Sequence, residues 1–105
     1  IVSFYSSHGT IDHLFALLRL AKQLEMDRVF IHSLIGRRGE KPESGAIYVT
    51  KVLDMCQSLT LGQIVTVIGR FWALDREENW DRVEKAYRAL VYGEGTHVPT
   101  AVKEM

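Results

Sequence analysis

The sequence predicts an α/β fold: a three-layer arrangement of strands and helices around a parallel sheet, forming an incomplete fragment of a larger domain. Short runs rich in β-branched and aromatic residues recur at 1–5, 28–32 and 64–68, and helical periodicity fills the stretches between and after them. No repeat, low-complexity tract or linker interrupts the order. Strand followed by helix three times over implies crossover connections and a parallel sheet. Three strands make a thin sheet with exposed edges, so neighbours from a longer polypeptide are expected. The chain opens at Ile1 without an initiating Met, already in a strand pattern, and residues 1–105 read as one partial domain.

The first predicted strand is Ile1 to Tyr5. The helix after it repeats Ile11, Leu14, Phe15, Leu18, Ala21 and Leu24 at three- and four-residue spacing, and Thr10 stands where it can cap the first turn. Arg28 to His32 forms the second strand. A second helix runs from Ser44 to Leu59 behind Pro42, with Ile47, Val49, Val52, Leu53 and Cys56 expected inside. Ile64 to Ile68 is apolar on both faces, as a buried parallel strand should be. The last helix is expected to begin near Asp75, capped by that carboxylate with Glu78 reaching back. Its expected buried stripe is Trp80, Val83, Tyr87, Leu90 and Val91, and Gly93 or Gly95 ends it. Thr96 to Met105 carries no decisive pattern.

Composition removes several function classes. Thirteen basic residues balance thirteen acidic ones, so a general binder of nucleic acid or membrane surface is not expected. Apolar runs such as Phe15 to Leu18 are far too short to span a bilayer. Cys56 is the single cysteine, which excludes an internal disulfide and a multi-cysteine zinc site. Any cationic site must be a local cluster.

Ligands of open parallel sheets bind beyond the carboxyl ends of the strands. Ser6 to Thr10, with His8, follows the first strand; Gly36 to Pro42, with Arg37 and Arg38, follows the second; Gly69 to Arg76, with Arg70 and Arg76, follows the third. All three ends deliver basic side chains to one rim of a neutral protein. Guanidinium groups pair their N–H donors with phosphate and carboxylate, so a small, multiply anionic ligand fits. A single loop arginine is ordinarily solvated or salt-bridged, and His8 alone reads more readily as a loop residue or helix-start partner than as a functional one. The agreement of three strand ends lifts the functional reading.

Other candidates have simpler explanations. His32 reads as a hydrogen-bonded core histidine, Cys56 as buried packing, and the acids Asp75, Glu77, Glu78 and Asp81 as charge favoured at a helix start. Phe71 and Trp72 read as loop packing that excludes water. No His or Cys spacing suits a self-contained metal site, and Gly36 to Gly39 lacks the ending of a nucleotide phosphate loop.

The stretch Gly69-Arg70-Phe71-Trp72-Ala73-Leu74-Asp75-Arg76, followed by Trp80-Asp81-Arg82-Val83, resembles the Gly-Arg-Tyr-Tyr-Ala-Met-Asp-Arg motif and downstream Trp of cofactor-independent (2,3-bisphosphoglycerate-independent) phosphoglycerate mutases. Ile11 to Leu14 behind His8, Ile31 to Ser33, then Arg38, Pro42 and Ser44, and the segment from Lys85 to Gly95 also resemble that family. The resemblance implies the first half of the family's inserted substrate-binding domain. It implies a glycolytic, cytoplasmic isomerase that interconverts 3-phosphoglycerate and 2-phosphoglycerate through a phosphoserine. His8, Arg38, Arg70 and Arg76 match substrate-binding positions. Two manganese ions and the nucleophilic serine are implied for a phosphatase-like domain outside this chain, which would be its partner. No metal, nucleic acid or membrane is expected on the chain itself, and in isolation it is expected to be inactive.

Two departures stand out. Ser3-Phe4-Tyr5-Ser6-Ser7-His8 replaces the family's Ser-Asp-Gly-Gly-Val-His, and Gly36-Arg37-Arg38-Gly39 replaces Asp-Gly-Arg-Asp. They keep open a rival reading, a catalytically degenerate homologue that binds a small anionic metabolite.

Overall fold

The computed structural model describes residues 9–36 and 44–98. Its elements are α1 (Ile11–Gln23), β1 (Phe30–Ile35), α2 (Ser44–Leu59), β2 (Gln63–Gly69), α3 (Arg70–Ala73) and α4 (Trp80–Tyr92). β1 and β2 pair in parallel across the α2 crossover, so the class is α/β. The first predicted strand, residues 1–5, lies outside the described residues.

Thr10 opens α1 in extended conformation, and its backbone N–H donates to Nδ1 of His13 at 3.0 Å, which closes a capping box. Ile11, Leu18 and Ala21 are buried, Leu14 and Phe15 partly so. Leu24, expected inside, is exposed because it is the C-cap, where the helical stripe ends.

The second helix occupies the range the sequence predicts. Val49, Val52 and Cys56 form its inner stripe, three and four residues apart. Ile47 and Leu53 are exposed instead. Ile47 sits about 200° around the helix from Val49, at 3.6 residues per turn, and Leu53 lies on the flank.

The core lies between α1, α2 and one face of the sheet: Ile11, Leu18, Ile31, Val52 and Cys56, with Ile35 and Ile64 packed against them. β1 starts two residues later than predicted and runs through Ile35, alternating buried Ile31 and Ser33 with exposed Phe30 and His32. His32 is therefore hydrogen-bonded, as expected, but not in the core. Its Nδ1 shares a 2.8 Å hydrogen bond with Thr66 Oγ1 on the open face, at a paired position of the register. The register shifts between Ile31 and His32, leaving Val65 as the extra residue of a bulge. β2 is half-buried rather than covered on both faces, because β1 is its sole neighbour among the described residues.

The last helix departs most from expectation. It begins at Trp80 with Asn79 as N-cap, and a short extra helix, α3, follows β2 directly. Its close contact is made by Ala86, which is buried, whereas Trp80, Val83, Tyr87, Leu90 and Val91 are exposed. A small residue lets the helix approach closely, and the larger apolar side chains around it stay at least partly exposed. Gly93 ends the helix.

Gly62 joins α2 to β2 at φ +102°, and a Cβ there would lie 2.8 Å from Cys56 Sγ. Burial pushes the Cys56 thiol up, so it serves as a neutral packing group. Gly62→Ala is expected to cost about 2–3 kcal/mol in urea unfolding, from backbone strain plus overpacking. Part of that cost should disappear in a Cys56→Ala background, and equal costs in both backgrounds would show that the close approach does not matter.

Candidate functional site

The parallel register places Ile35 opposite Gly69, so the two strands end level. Gly36 follows at φ +91°, and a Cβ built on it would meet Arg70 Cγ and Cδ at 3.6 and 3.8 Å. The Arg70 stem thus lies across the point where the chain leaves for 37–43, the stretch that carries Arg38. The structure brings these two departures together at the carboxyl rim. His8 and Arg38 themselves lie outside the described residues.

Arg70 is half-buried and Arg76 exposed, and neither side chain has a hydrogen-bond or ion-pair partner among the described residues. Other arginines of the same region are neutralised. Arg88 bonds Glu84 Oε1 at 3.0 Å and Glu94 Oε1 at 3.2 Å. Arg82 donates from a terminal nitrogen to Asp75 Oδ1 at 3.3 Å.

Asp75 is the polar centre of the segment, its side chain only 4% exposed. Its oxygens accept from the Asn79 side-chain amide at 2.8 Å, the Asn79 backbone N–H at 2.9 Å and the Glu77 N–H at 3.3 Å, besides Arg82. These bonds replace the expected cap on a helix starting at Asp75. They draw the carboxylate onto a loop that precedes the helix, and Glu78, the expected partner, adopts φ +62° instead.

Phe71 and Trp72 meet edge-to-face with centroids 4.9 Å apart. The Arg82 guanidinium lies 3.9 Å from the Phe71 centroid and Lys85 Nζ 4.4 Å from that of Trp72. The pair binds α3 to α4, a more specific role than loop packing. Sequence reasoning gave Arg82, Lys85 and Asn79 no role. Their partners lie across a non-helical loop, where no fixed spacing signals contact.

A shallow groove of about 820 Å³ lies at the opposite, amino end of the strands, lined by Val29, Leu53, Gln57, Leu61 and the pair Asp27 and Arg28. It gathers no excess of one charge. Among the described residues no group of three His, Cys, Asp or Glu could hold a metal ion, and no helix is long and apolar enough to cross a membrane.

A family model described as the BPG-independent PGAM N-terminus matches residues 1–105. The chain belongs to the 2,3-bisphosphoglycerate-independent phosphoglycerate mutase family. Among curated relatives of that name, the protein of Syntrophotalea carbinolica is 45% identical over 89 residues, 85% of this chain and 17% of the relative. That of Moorella thermoacetica is 45% identical over 95 residues, 90% of this chain and 18% of its own. The Myxococcus xanthus mutase is 41% identical over 102 residues, covering 97% and 20% respectively. The chain therefore spans about a fifth of the length of the curated mutases it matches.

Asn79's side-chain amide, above all, holds the Asp75 carboxyl below the usual carboxylate range, helped by the two backbone N–H groups and the Arg82 charge and opposed by desolvation. A depressed pKa means that the stabilisation is present above the unfolded carboxylate pKa and is lost as pH falls through the folded value. The ¹³C carboxylate shift of Asp75 is therefore expected to titrate at lower pH than exposed carboxylates of the same chain, and Asn79→Ala should move it upward. Titration of Asp75 together with the exposed carboxylates would mean the network does not form.

Proposed function

We propose that this chain is the substrate-gripping part of a phosphoglycerate mutase that interconverts 3-phosphoglycerate and 2-phosphoglycerate through a phosphoserine intermediate in cytoplasmic glycolysis. The observation that carries the reading is the pair Arg70 and Arg76. They bracket α3 at the carboxyl end of β2, their side chains unpaired among the described residues, beside Gly36, where the chain leaves for the stretch that carries Arg38. Their guanidinium forks would take up the carboxylate and phosphate of phosphoglycerate, with His8 and Arg38 completing the grip.

The contribution of these residues is positional and electrostatic. They hold the glycerate while its phosphoryl group is away, present the other hydroxyl for its return, and offset charge that moves during transfer. The serine and two manganese ions belong, in this reading, to a phosphatase-like partner domain outside the chain, where the metals would supply Lewis-acid activation. The isolated 105 residues would then be inactive, in keeping with their small share of the relatives' length. The exposed apolar side chains Phe30, Trp80, Tyr87 and Val91 are surface for the remaining polypeptide to cover.

Gly39, standing where the family has aspartate, favours a second reading, a degenerate homologue that holds a small anionic metabolite without turnover. Assay of the intact protein with manganese and no added bisphosphoglycerate separates the two. Manganese-dependent turnover is expected, and Arg70→Ala should lower it tenfold or more (about 1.4 kcal/mol per factor of ten). Unchanged turnover in Arg70→Ala would overturn the assignment of Arg70. A folded, metal-loaded protein that binds 3-phosphoglycerate without converting it would establish the binder.

A further inference from the structure

Four residues make α3, far fewer than a helix needs to persist alone, so the segment between the two rim arginines must be held from outside. Arg82 of α4 does this at both ends. Its guanidinium covers the Phe71 ring at 3.9 Å and donates to Asp75 Oδ1 at 3.3 Å. Phe71 directly follows Arg70, and Asp75 directly precedes Arg76. One planar cation thus ties together the immediate neighbours of both arginines. Lys85, three residues further along α4, repeats the contact on Trp72 at 4.4 Å.

The loop that closes the arrangement is strained. Glu78 holds φ +62°, a conformation that costs a non-glycine residue about 1 kcal/mol or more. Bonds from Glu77 and Asn79 to Asp75, on either side of Glu78, keep it there. Strain of this kind persists only where the surroundings over-determine it. The electrostatics agree: Asp75 is the ion-pair partner of Arg82, whereas Arg70 and Arg76 have none among the described residues.

We infer that Asp75 and Arg82 are positioning residues, whose ion pair, with the Arg82–Phe71 contact, fixes Arg70 relative to Arg76 for an anionic substrate. Neither need touch the substrate. The inference rests on the proposed function for the identity of that substrate, and it adds two residues outside the substrate-binding set of His8, Arg38, Arg70 and Arg76.

The test is a double-mutant cycle on the intact protein, reading kcat and KM for 3-phosphoglycerate. Asp75→Asn keeps the shape and removes the charge, and is expected to lower kcat/KM about tenfold, mainly through KM. Arg82→Lys keeps the charge but loses the planar fork, and should give a smaller loss in the same direction while folding normally. In an Arg76→Ala background Asp75→Asn should cost less than about twofold, because the group it positions is gone. An equal loss in both backgrounds, or an unchanged KM in a folded Asp75→Asn variant, overturns the positioning role. Unaltered protein that neither turns over nor binds 3-phosphoglycerate by calorimetric titration overturns the proposed function, and this role with it.

Discussion

Because β1 and β2 run parallel and pair from Phe30 with Gln63 to Ile35 with Gly69, both strands release the chain at the same height. The rest of the rim depends on this constraint. A backbone register sets the two points where the chain leaves the strands to within one strand spacing, and Gly36 leaves room for the Arg70 stem beside it. The register is itself held by the core beneath. Ile31, Ile35 and Ile64 face α1 and α2, and a slip by one residue would turn them outward. The bulge at Val65 sits early in the strand, so pairing is regular again from His32 to the rim.

In a neutral chain, which cations are neutralised decides where positive charge is left over. Arg82 and Arg88 commit their charge to Asp75, Glu84 and Glu94, and do structural work. Exposed pairs such as Arg88 with Glu84 contribute at most about 1 kcal/mol each. Their value here lies in selectivity, since carboxylates engaged by Arg82 and Arg88 do not compete for Arg70 and Arg76. The zero net charge is therefore compatible with a strong local field, and it disfavours the indiscriminate polyanion binding that a basic surface would bring.

Features set by local periodicity were legible in the sequence. The bounds of α2, the start of α1 and the position of β2 are all properties of spacing, and spacing is visible in one chain. The start of α4 was not legible. Asp75 with Glu78 has the letter pattern of a capping box, yet the carboxylate finds better donors in Asn79 and Arg82 across a loop. The Trp80-to-Val91 stripe has the period of a buried face, but period says only that the face is apolar, not what covers it. Leu53 and Ile47 failed on the same ground, since hydrophobicity nominates more positions than one helix face can bury. Arg82 was invisible as a functional residue because its importance lies in bridging Phe71 and Asp75, a relation that exists only after folding.

The departure at Gly39 is best weighed by magnitude. An arginine pairing with a phosphate or carboxylate acts through charge, and several such groups at one rim hold a multiply charged ligand cooperatively. The aspartate that Gly39 replaces would contribute one charge-assisted hydrogen bond to a hydroxyl, worth about 1.5–3 kcal/mol. Lost entirely in a transition state, that is about ten- to two-hundredfold in rate. Enzymes in general lower their barriers by about 8–23 kcal/mol, several times this loss. On the function proposed above, Arg38, Arg70 and Arg76 would carry the larger, charge-based share of binding, and the sequence keeps all three. Under that proposal, the change at Gly39 would slow a mutase rather than silence it.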